Sequence, residues 1–280
     1  MDSFRVGSNK RKVLVKQMKR FLTLLKRFVR FLIRRKLSER LVGFVIRDAL
    51  KRTRAVNHGS VELVLTEPGP QIKSRNLTFS SKEPGTLEWI DSFPSGSELW
   101  DIGANVGLYS VYAAKKGIRV QAFEPSVFNL EFLARNINLN DVSDLITVFP
   151  VAVGGVGVSA SSLNLSSTAW GDSQNSFGTL RGQFGVDISS EFKYRVIGVS
   201  LDALVADLKL AQPDFIKIDV DGIEPEILES GDYVLSKVRG VLVECPAFEG
   251  GEQRVRNSLE NAGLRLDRRD GRNEIWIRKL

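Results

Sequence analysis

Leu99-Trp100-Asp101-Ile102-Gly103-Ala104-Asn105-Val106-Gly107 is the stretch on which the reading of this chain turns. It reads as a buried strand ending at Asp101, a glycine-rich turn, and a helix over about 106–116. Gly103 lets backbone come close to a ligand, and Gly107 lets the helix pack closely on the strand. Backbone N–H groups at the helix start make a site for a carboxylate or phosphate. Two ligand readings compete. A nicotinamide site wants G-x-G-x-x-G, and here only Gly103 and Gly107 are present, with three residues between them. Asp101 before the first glycine, with Asn105 inside the turn, suits a ligand carrying an amine, a carboxylate and a ribose, as S-adenosylmethionine (SAM) does. An ordinary strand–turn–helix corner of an α/β domain stays open beside both.

Arg119-Val120-Gln121-Ala122-Phe123-Glu124-Pro125 is a second short apolar strand ending in an acid. Glu124 follows the glycine turn by about 20 residues, the spacing that puts a carboxylate where it accepts both ribose hydroxyls. Ser126 then caps a helix to about Leu139. Residues 145–153 read as a third strand running out into Gly154-Gly155, with Val151 and Ala152 offering small apolar side chains to an adenine ring. Ser200 caps a helix to about Leu208. The most apolar strand, Phe215-Ile216-Lys217-Ile218-Asp219, ends with Asp219, Asp221 and Glu224 close together, and Gly222 allows a tight turn before the helix that Glu224-Pro225 begins. The strand over 239–246 delivers Glu244 to the same edge, where ligands of open α/β sheets bind. Residues 264–268 and 274–278 form a closing hairpin through Asp270-Gly271.

Asp101 to Gly107, then Phe123-Glu124-Pro125, then Ile216-Lys217-Ile218-Asp219-Val220-Asp221-Gly222-Ile223-Glu224 resemble the FkbM-type SAM-dependent methyltransferases. The resemblance covers roughly residues 89–280. The first motif is shared by many class I methyltransferases, and the last is far more specific to the FkbM group. It implies O-methylation, often of a sugar or polyketide hydroxyl. The fold expected is α/β: a doubly wound, mostly parallel seven-stranded class I methyltransferase (Rossmann-like) sheet with a terminal antiparallel hairpin, preceded by a basic amphipathic N-terminal helical segment. The division expected is 1–55 for that segment and 56–280 for the methyltransferase domain, with a lead-in over 56–96 and an acceptor-side insertion over 154–200. The cofactor-binding set is Asp101, Gly103, Ala104, Asn105, Gly107, Glu124, Val151, Ala152 and Asp219.

Composition narrows the chemistry. The one cysteine, Cys245, excludes an internal disulfide and fits a reducing compartment. The one histidine, His58, lies far in sequence from the strand ends and reads as a surface or linker residue, so a His dyad and His-rich zinc sites are excluded. The net charge of +7 hides an asymmetry: residues 1–54 hold 18 Lys and Arg against Asp2, Glu39 and Asp48, and the rest of the chain is acidic. Over about 12–35, Leu14, Met18, Phe21, Leu25, Phe28 and Leu32 recur at steps of four and three, flanked by Lys16, Lys19, Lys26, Arg27, Arg30 and Arg34. This amphipathic basic helix is too polar to span a bilayer and lacks a signal-peptide core. It reads as a membrane-surface helix, with packing on its own domain or a partner, or polyanion binding, as alternatives. The location expected is cytoplasmic, peripheral on the inner face of the membrane where the arm docks. The oligomeric state is open.

In the lead-in, residues 41–50 read as a short helix, Val61–Thr66 and Asn76–Phe79 as a hairpin turning at Pro68-Gly69-Pro70, and Thr86–Phe93 as another helix. The Ser-, Gly- and Asn-rich stretch 154–200 reads as a β-hairpin-like insertion and acceptor lid, in which Trp170, Asn175, Phe177 and Arg181 either contact a sugar or pin the insertion to the domain.

Methyl transfer to a hydroxyl needs a positioned base or a metal ion. The catalytic candidates are Asp219, read as nearest the transferred methyl, and Asp221, Glu224 and Glu244. Crowded carboxylates have raised pKa values, which suits a base near neutrality. The same cluster also reads as an all-oxygen Mg²⁺ or Mn²⁺ site, although no metal ligands are assigned. The partner expected is a small-molecule or glycan acceptor, the leading case a saccharide or lipid-linked glycan. A non-catalytic SAM-binding protein and an RNA methyltransferase gripping phosphate with its arm are the alternatives. A dinucleotide oxidoreductase comes last for want of the middle glycine. The acidic remainder of the chain argues against nucleic acid.

Overall fold

The side chains of each core strand alternate between two apolar layers, and this alternation sets the architecture. In the computed structural model, which describes residues 22–28, 30–31, 37–155 and 157–278, Leu99, Val120, Phe215 and Leu242 point into one layer. Their neighbours Trp100, Phe123, Ile216 and Val241 point into the other. Strands that are apolar on both faces must be covered on both, which is the doubly wound arrangement.

In chain order the strands are β1 Thr53–His58, β2 Val61–Thr66, β3 Glu98–Ile102, β4 Arg119–Phe123, β5 Ile146–Phe149, β6 Ala152–Val153, β7 Val158–Leu165, β8 Asn175–Phe177, β9 Phe192–Val199, β10 Phe215–Ile218, β11 Gly240–Glu244, β12 Leu264–Asp270 and β13 Asn273–Arg278. The main sheet has seven strands in the order β12-β13-β11-β10-β3-β4-β5. The neighbours from β11 to β5 pair in parallel, and β13 runs antiparallel to both β11 and β12. This is the expected sheet with its closing antiparallel pair. The closing turn is Gly271-Arg272, one residue later than read from sequence, because Asp270 pairs with Asn273. The order reverses between β3 and β10, so a crevice opens at their carboxyl ends.

Three expectations are corrected. Asn76–Phe79 is not a strand: it lies in the helix Pro70–Lys82, with Pro70 in its first turn. Ile72, Asn76 and Phe79 are buried at helical spacing. The hairpin partner of β2 is β1, joined by the two-residue turn Gly59-Ser60 with Gly59 at φ +54. The strand read over 145–153 is two strands. Pro150 has no amide to donate, so β5 stops at Phe149, and β6 joins a second, four-stranded sheet of order β6-β9-β7-β8. That sheet is the insertion, with β7 and β9 antiparallel from Val158↔Val199 to Leu165↔Phe192.

The lead-in is fastened to the core by asparagines. Asn136 and Asn140, on the helix Val127–Leu139 and just after it, accept the β2 amides of Thr66 at 2.8 Å and Val64 at 2.9 Å. Asn76 donates to Thr66 O at 2.9 Å. Buried edge amides are thereby satisfied, and the helix Pro70–Lys82 is held close to the crevice. His58 packs its ring edge-on to Tyr112 at 5.6 Å, on β1 and away from the strand ends.

The described residues form two compact units, one ending at Arg52 and one beginning at Thr53. In the first, 22–28 and 30–31 are helical and Leu37–Leu50 is a helix. The rest of the expected amphipathic helix over 12–35 lies outside the described residues. Leu22, Leu25, Phe28, Leu41, Phe44 and Val45 are exposed. No described helix is long and apolar enough to cross a membrane.

Candidate active site

The glycine turn is built around left-handed backbone. Gly103, Asn105 and Gly107 have φ of +83, +52 and +82. A Cβ on Gly103 would lie 2.0 Å from the Asp219 carbonyl oxygen, and one on Gly107 would lie 2.3 Å from Leu133 Cδ1. So Gly103 brings the β3 turn against the end of β10, while Gly107 admits a side chain of the neighbouring helix rather than the strand. The turn amides differ from expectation. Asn105 N–H donates to Glu124 Oε2 at 2.8 Å, Val106 N–H to Asn105 Oδ1 at 2.9 Å, and Gly107 N–H to Ala104 O at 2.8 Å. Gly103 and Ala104 both donate to Phe123 O. The amides from Gly103 to Gly107 are engaged inside the protein; the helix itself starts at Leu108, and its first-turn residues Leu108, Tyr109 and Ser110 do not line the cleft.

A cleft lies at the carboxyl ends of β3, β4 and β10. Gly103, Asn105, Glu124, Val151, Ala152 and Asp219 of the cofactor set line it, with Ile223 and, from the insertion, Leu163, Asn175 and Phe177. Asp101, Ala104 and Gly107 do not line it. Glu124 is buried and also accepts from Ser126 N–H at 2.8 Å. Burial raises its carboxyl to about 7 against the pull of those amides. An acid at this strand end, a glycine cradle and an apolar wall fit a nucleoside whose sugar hydroxyls donate to Glu124.

Lys217 orders the carboxylates. It pairs in register with Asp101 across β10 and β3, so both side chains leave the same face of the sheet. Its buried ammonium lies 3.1 Å from Asp219 Oδ2, 3.9 Å from Asp101 Oδ1 and 5.1 Å from the Tyr109 ring centroid. Burial alone would lower the lysine; Asp219 and Asp101 raise it instead. Burial would raise Asp219, yet the Lys217 charge holds it well below the usual carboxylate range. Burial raises Asp101, whose Oδ2 accepts from Ser110 Oγ at 2.5 Å.

The remaining candidates separate by their partners. Asp221 lines the cleft at φ +61 and has no hydrogen bond or ion pair among the described residues. Burial, followed by repulsion from Asp219, Glu244 and Glu224, pushes it up to about 8. Glu224 is a correction. It is fully buried, its Oε1 accepts from Val220 N–H at 3.3 Å and Gly222 N–H at 3.1 Å, and it does not line the cleft. It holds the turn that presents Asp221. Glu244 is raised to about 7 by burial and by the nearby Asp219 carboxylate, and Arg272 Nη2 donates to it at 2.5 Å. No group of three His, Cys, Asp or Glu side chains fit to hold a metal occurs among the described residues.

Of the four insertion residues, Asn175 and Phe177 reach the cleft. Trp170 packs on Phe132 at 5.3 Å, and Arg181 pairs with Glu226 at 2.8 Å and lies over the Phe248 ring, so these two pin the insertion. Arg75 lines the cleft and went unnoticed in the sequence because it fell in the connection of the expected hairpin, just before the strand read over Asn76–Phe79.

A doubly wound sheet with an acid-lined nucleoside cleft at its switch point defines a methyltransferase of the Rossmann-like class. The chain belongs to the FkbM methyltransferase domain family, whose model matches residues 101–266. It is a methyltransferase that uses SAM as methyl donor. It is similar to methyltransferase sdnD of Sordaria araneosa, 28% identical over 64% of this chain and 78% of that protein. It is also similar to the hexuronic acid methyltransferase AglP of Haloferax volcanii, 31% identical over 53% of this chain and 56% of that one. Among solved structures, magnesium protoporphyrin IX methyltransferase of Synechocystis PCC 6803 with bound SAM aligns at a TM-score of 0.44, 14% identical, over 80% of this chain and 87% of that one.

Proposed function

We propose that the chain methylates a hydroxyl oxygen of a saccharide, with Asp221 as the general base. The observation that carries this reading is the contrast between two carboxylates two residues apart. Asp219 is ion-paired to Lys217, while Asp221 has no partner among the described residues and a carboxyl raised to about 8. A base works best when its pKa lies near the operating pH. When bound, the cofactor supplies an electrophilic methyl group, so the protein has to orient the acceptor and take its proton. Asp221 accepts the hydroxyl proton, Glu124 holds the ribose, and Lys217 keeps Asp219 ionised beside the positive sulfonium. The name of the relative AglP, a hexuronic acid methyltransferase, supports a sugar acceptor.

The basic N-terminal unit supports delivery to a glycan assembled at a membrane. Leu22, Leu25 and Phe28 are exposed among Lys26, Arg27 and Arg30, a pattern suited to the interface of an anionic bilayer. Two experiments test these readings. Mass spectrometry of uronic acid and neutral oligosaccharides incubated with the chain and methyl-labelled SAM should show a label stable to mild base, as an ether is. Loss of the label in base would point to an ester. Sedimentation with phosphatidylglycerol vesicles should fall several-fold in the full chain carrying K26E, R27E and R30E; equal sedimentation would remove the membrane reading.

A further inference from the structure

Among the described residues lining the cleft, Arg75 is the only Lys, Arg or His. It lies on the helix Pro70–Lys82, outside the stretch that the family model matches. Its Nε donates to Gly171 O at 2.8 Å, while its two terminal amino groups have no hydrogen bond or ion pair among the described residues. Gly171 is itself tied down: its N–H donates to Asn129 Oδ1 at 3.1 Å, and the adjoining Asp172 carbonyl accepts from Asn105 Nδ2 at 3.0 Å and Asn129 Nδ2 at 3.2 Å. The guanidinium is therefore held by one edge, with its fork left over. It shares the cleft lining with Glu124 at the β4 end and Asp221 after β10.

The cofactor of this site has an amino-acid tail bearing one carboxylate. The other charged residues of the cleft, Glu124, Asp219 and Asp221, suit hydroxyls, an ammonium and a sulfonium, and would repel that group. The amides from Gly103 to Gly107 have acceptors within the protein, and Leu108, Tyr109 and Ser110, the first turn of the following helix, do not line the cleft. A buried carboxylate without a cation or donors is costly, and a guanidinium fork matches its two oxygens.

We propose that Arg75 binds the cofactor's carboxylate, so that the lead-in helix, not the glycine turn, supplies the anion site. This rests on the SAM-dependent reading above. The test compares S-adenosylhomocysteine with 5′-methylthioadenosine, the same thioether nucleoside without the tail, by calorimetric titration of the full chain. In R75Q the affinity for S-adenosylhomocysteine falls about 10- to 100-fold, the range of one charge-assisted contact, while that for methylthioadenosine changes less than about twofold. R75K, which keeps the charge without the fork, falls between. Unchanged S-adenosylhomocysteine affinity in R75Q overturns the proposal. So does a parallel loss of both ligands, which would make Arg75 only a tether for Gly171. Wild-type chain that binds neither compound contradicts the cofactor reading itself, and this proposal with it.

Discussion

Lys217 Nζ lies 3.1 Å from Asp219 Oδ2, and this contact separates the roles of the carboxylates at the strand ends. A carboxylate paired to a buried ammonium holds its negative charge firmly and is a weak base. Two residues on, Asp221 has no such partner and its carboxyl is raised to about 8. One strand end thus yields one fixed charge and one proton acceptor.

Asp221→Asn should lower kcat by about 10²- to 10⁴-fold, the usual contribution of a general base. The wild-type profile of kcat/KM should rise with pH through about 8, because the base must be ionised, and the variant should lack that limb. Affinity for S-adenosylhomocysteine should stay within about threefold. A variant that keeps the rising limb would assign the proton to another group.

Lys217→Met tests the buried charge cluster. Removing one partner of a buried pair costs about 3–5 kcal/mol. The sign with pH follows from Asp219, whose carboxyl is lowered in the folded state. Its stabilising contribution is present above the ordinary carboxylate pKa and is lost as pH falls. The stability gap between wild type and variant should be widest at neutral pH and should narrow as pH falls below ~4, read from urea unfolding at several pH values. A gap independent of pH would mean that Lys217 acts by packing alone.

Glu224→Gln should leave activity within a few-fold, because the amide oxygen still accepts from Val220 and Gly222. Burial raises the wild-type carboxyl to about 7, so the folded protein loses stability as pH rises from the ordinary carboxylate value through 7. The variant should escape that loss and melt higher than wild type at pH ~8. Glu224→Ala, which leaves two amides unpaired, should melt lower at every pH.

Gly103→Ala puts a methyl 2.0 Å from the Asp219 carbonyl at a positive φ. The β3 turn must then move away from β10, and affinity for S-adenosylhomocysteine should fall at least about tenfold, from backbone strain of some 1–3 kcal/mol alone. Unchanged titration would show that the turn does not shape the ligand site.

The seven-stranded sheet was legible because its signals are local and repeated: short apolar strands ending in an acid or glycine before a helix. Of the two expected serine caps, only Ser200 accepts a cap hydrogen bond, from Ala203 N–H, and Ser126 does not. Three features were not read. The lead-in looked like a hairpin because Leu77, Thr78 and Phe79 favour strands, although Ile72, Asn76 and Phe79 already carry a helical spacing. Arg75 was hidden by that error. The engagement of the Asn105 amide by Glu124 depends on how the β3 and β4 ends meet, a tertiary contact with no sequence signal. The carboxylates were all named, but only their partners, Lys217 for Asp219, backbone amides for Glu224 and Arg272 for Glu244, divide structural from chemical roles.

The central claim is that SAM lies across the ends of β3, β4 and β10, and the most direct test is a crystal structure grown with S-adenosylhomocysteine. The account predicts the ribose hydroxyls on Glu124, the adenine against Val151 and Ala152, and the sulfur facing the Asp219–Asp221 turn. A nucleoside bound elsewhere, or seated here with its ribose away from Glu124, would contradict it.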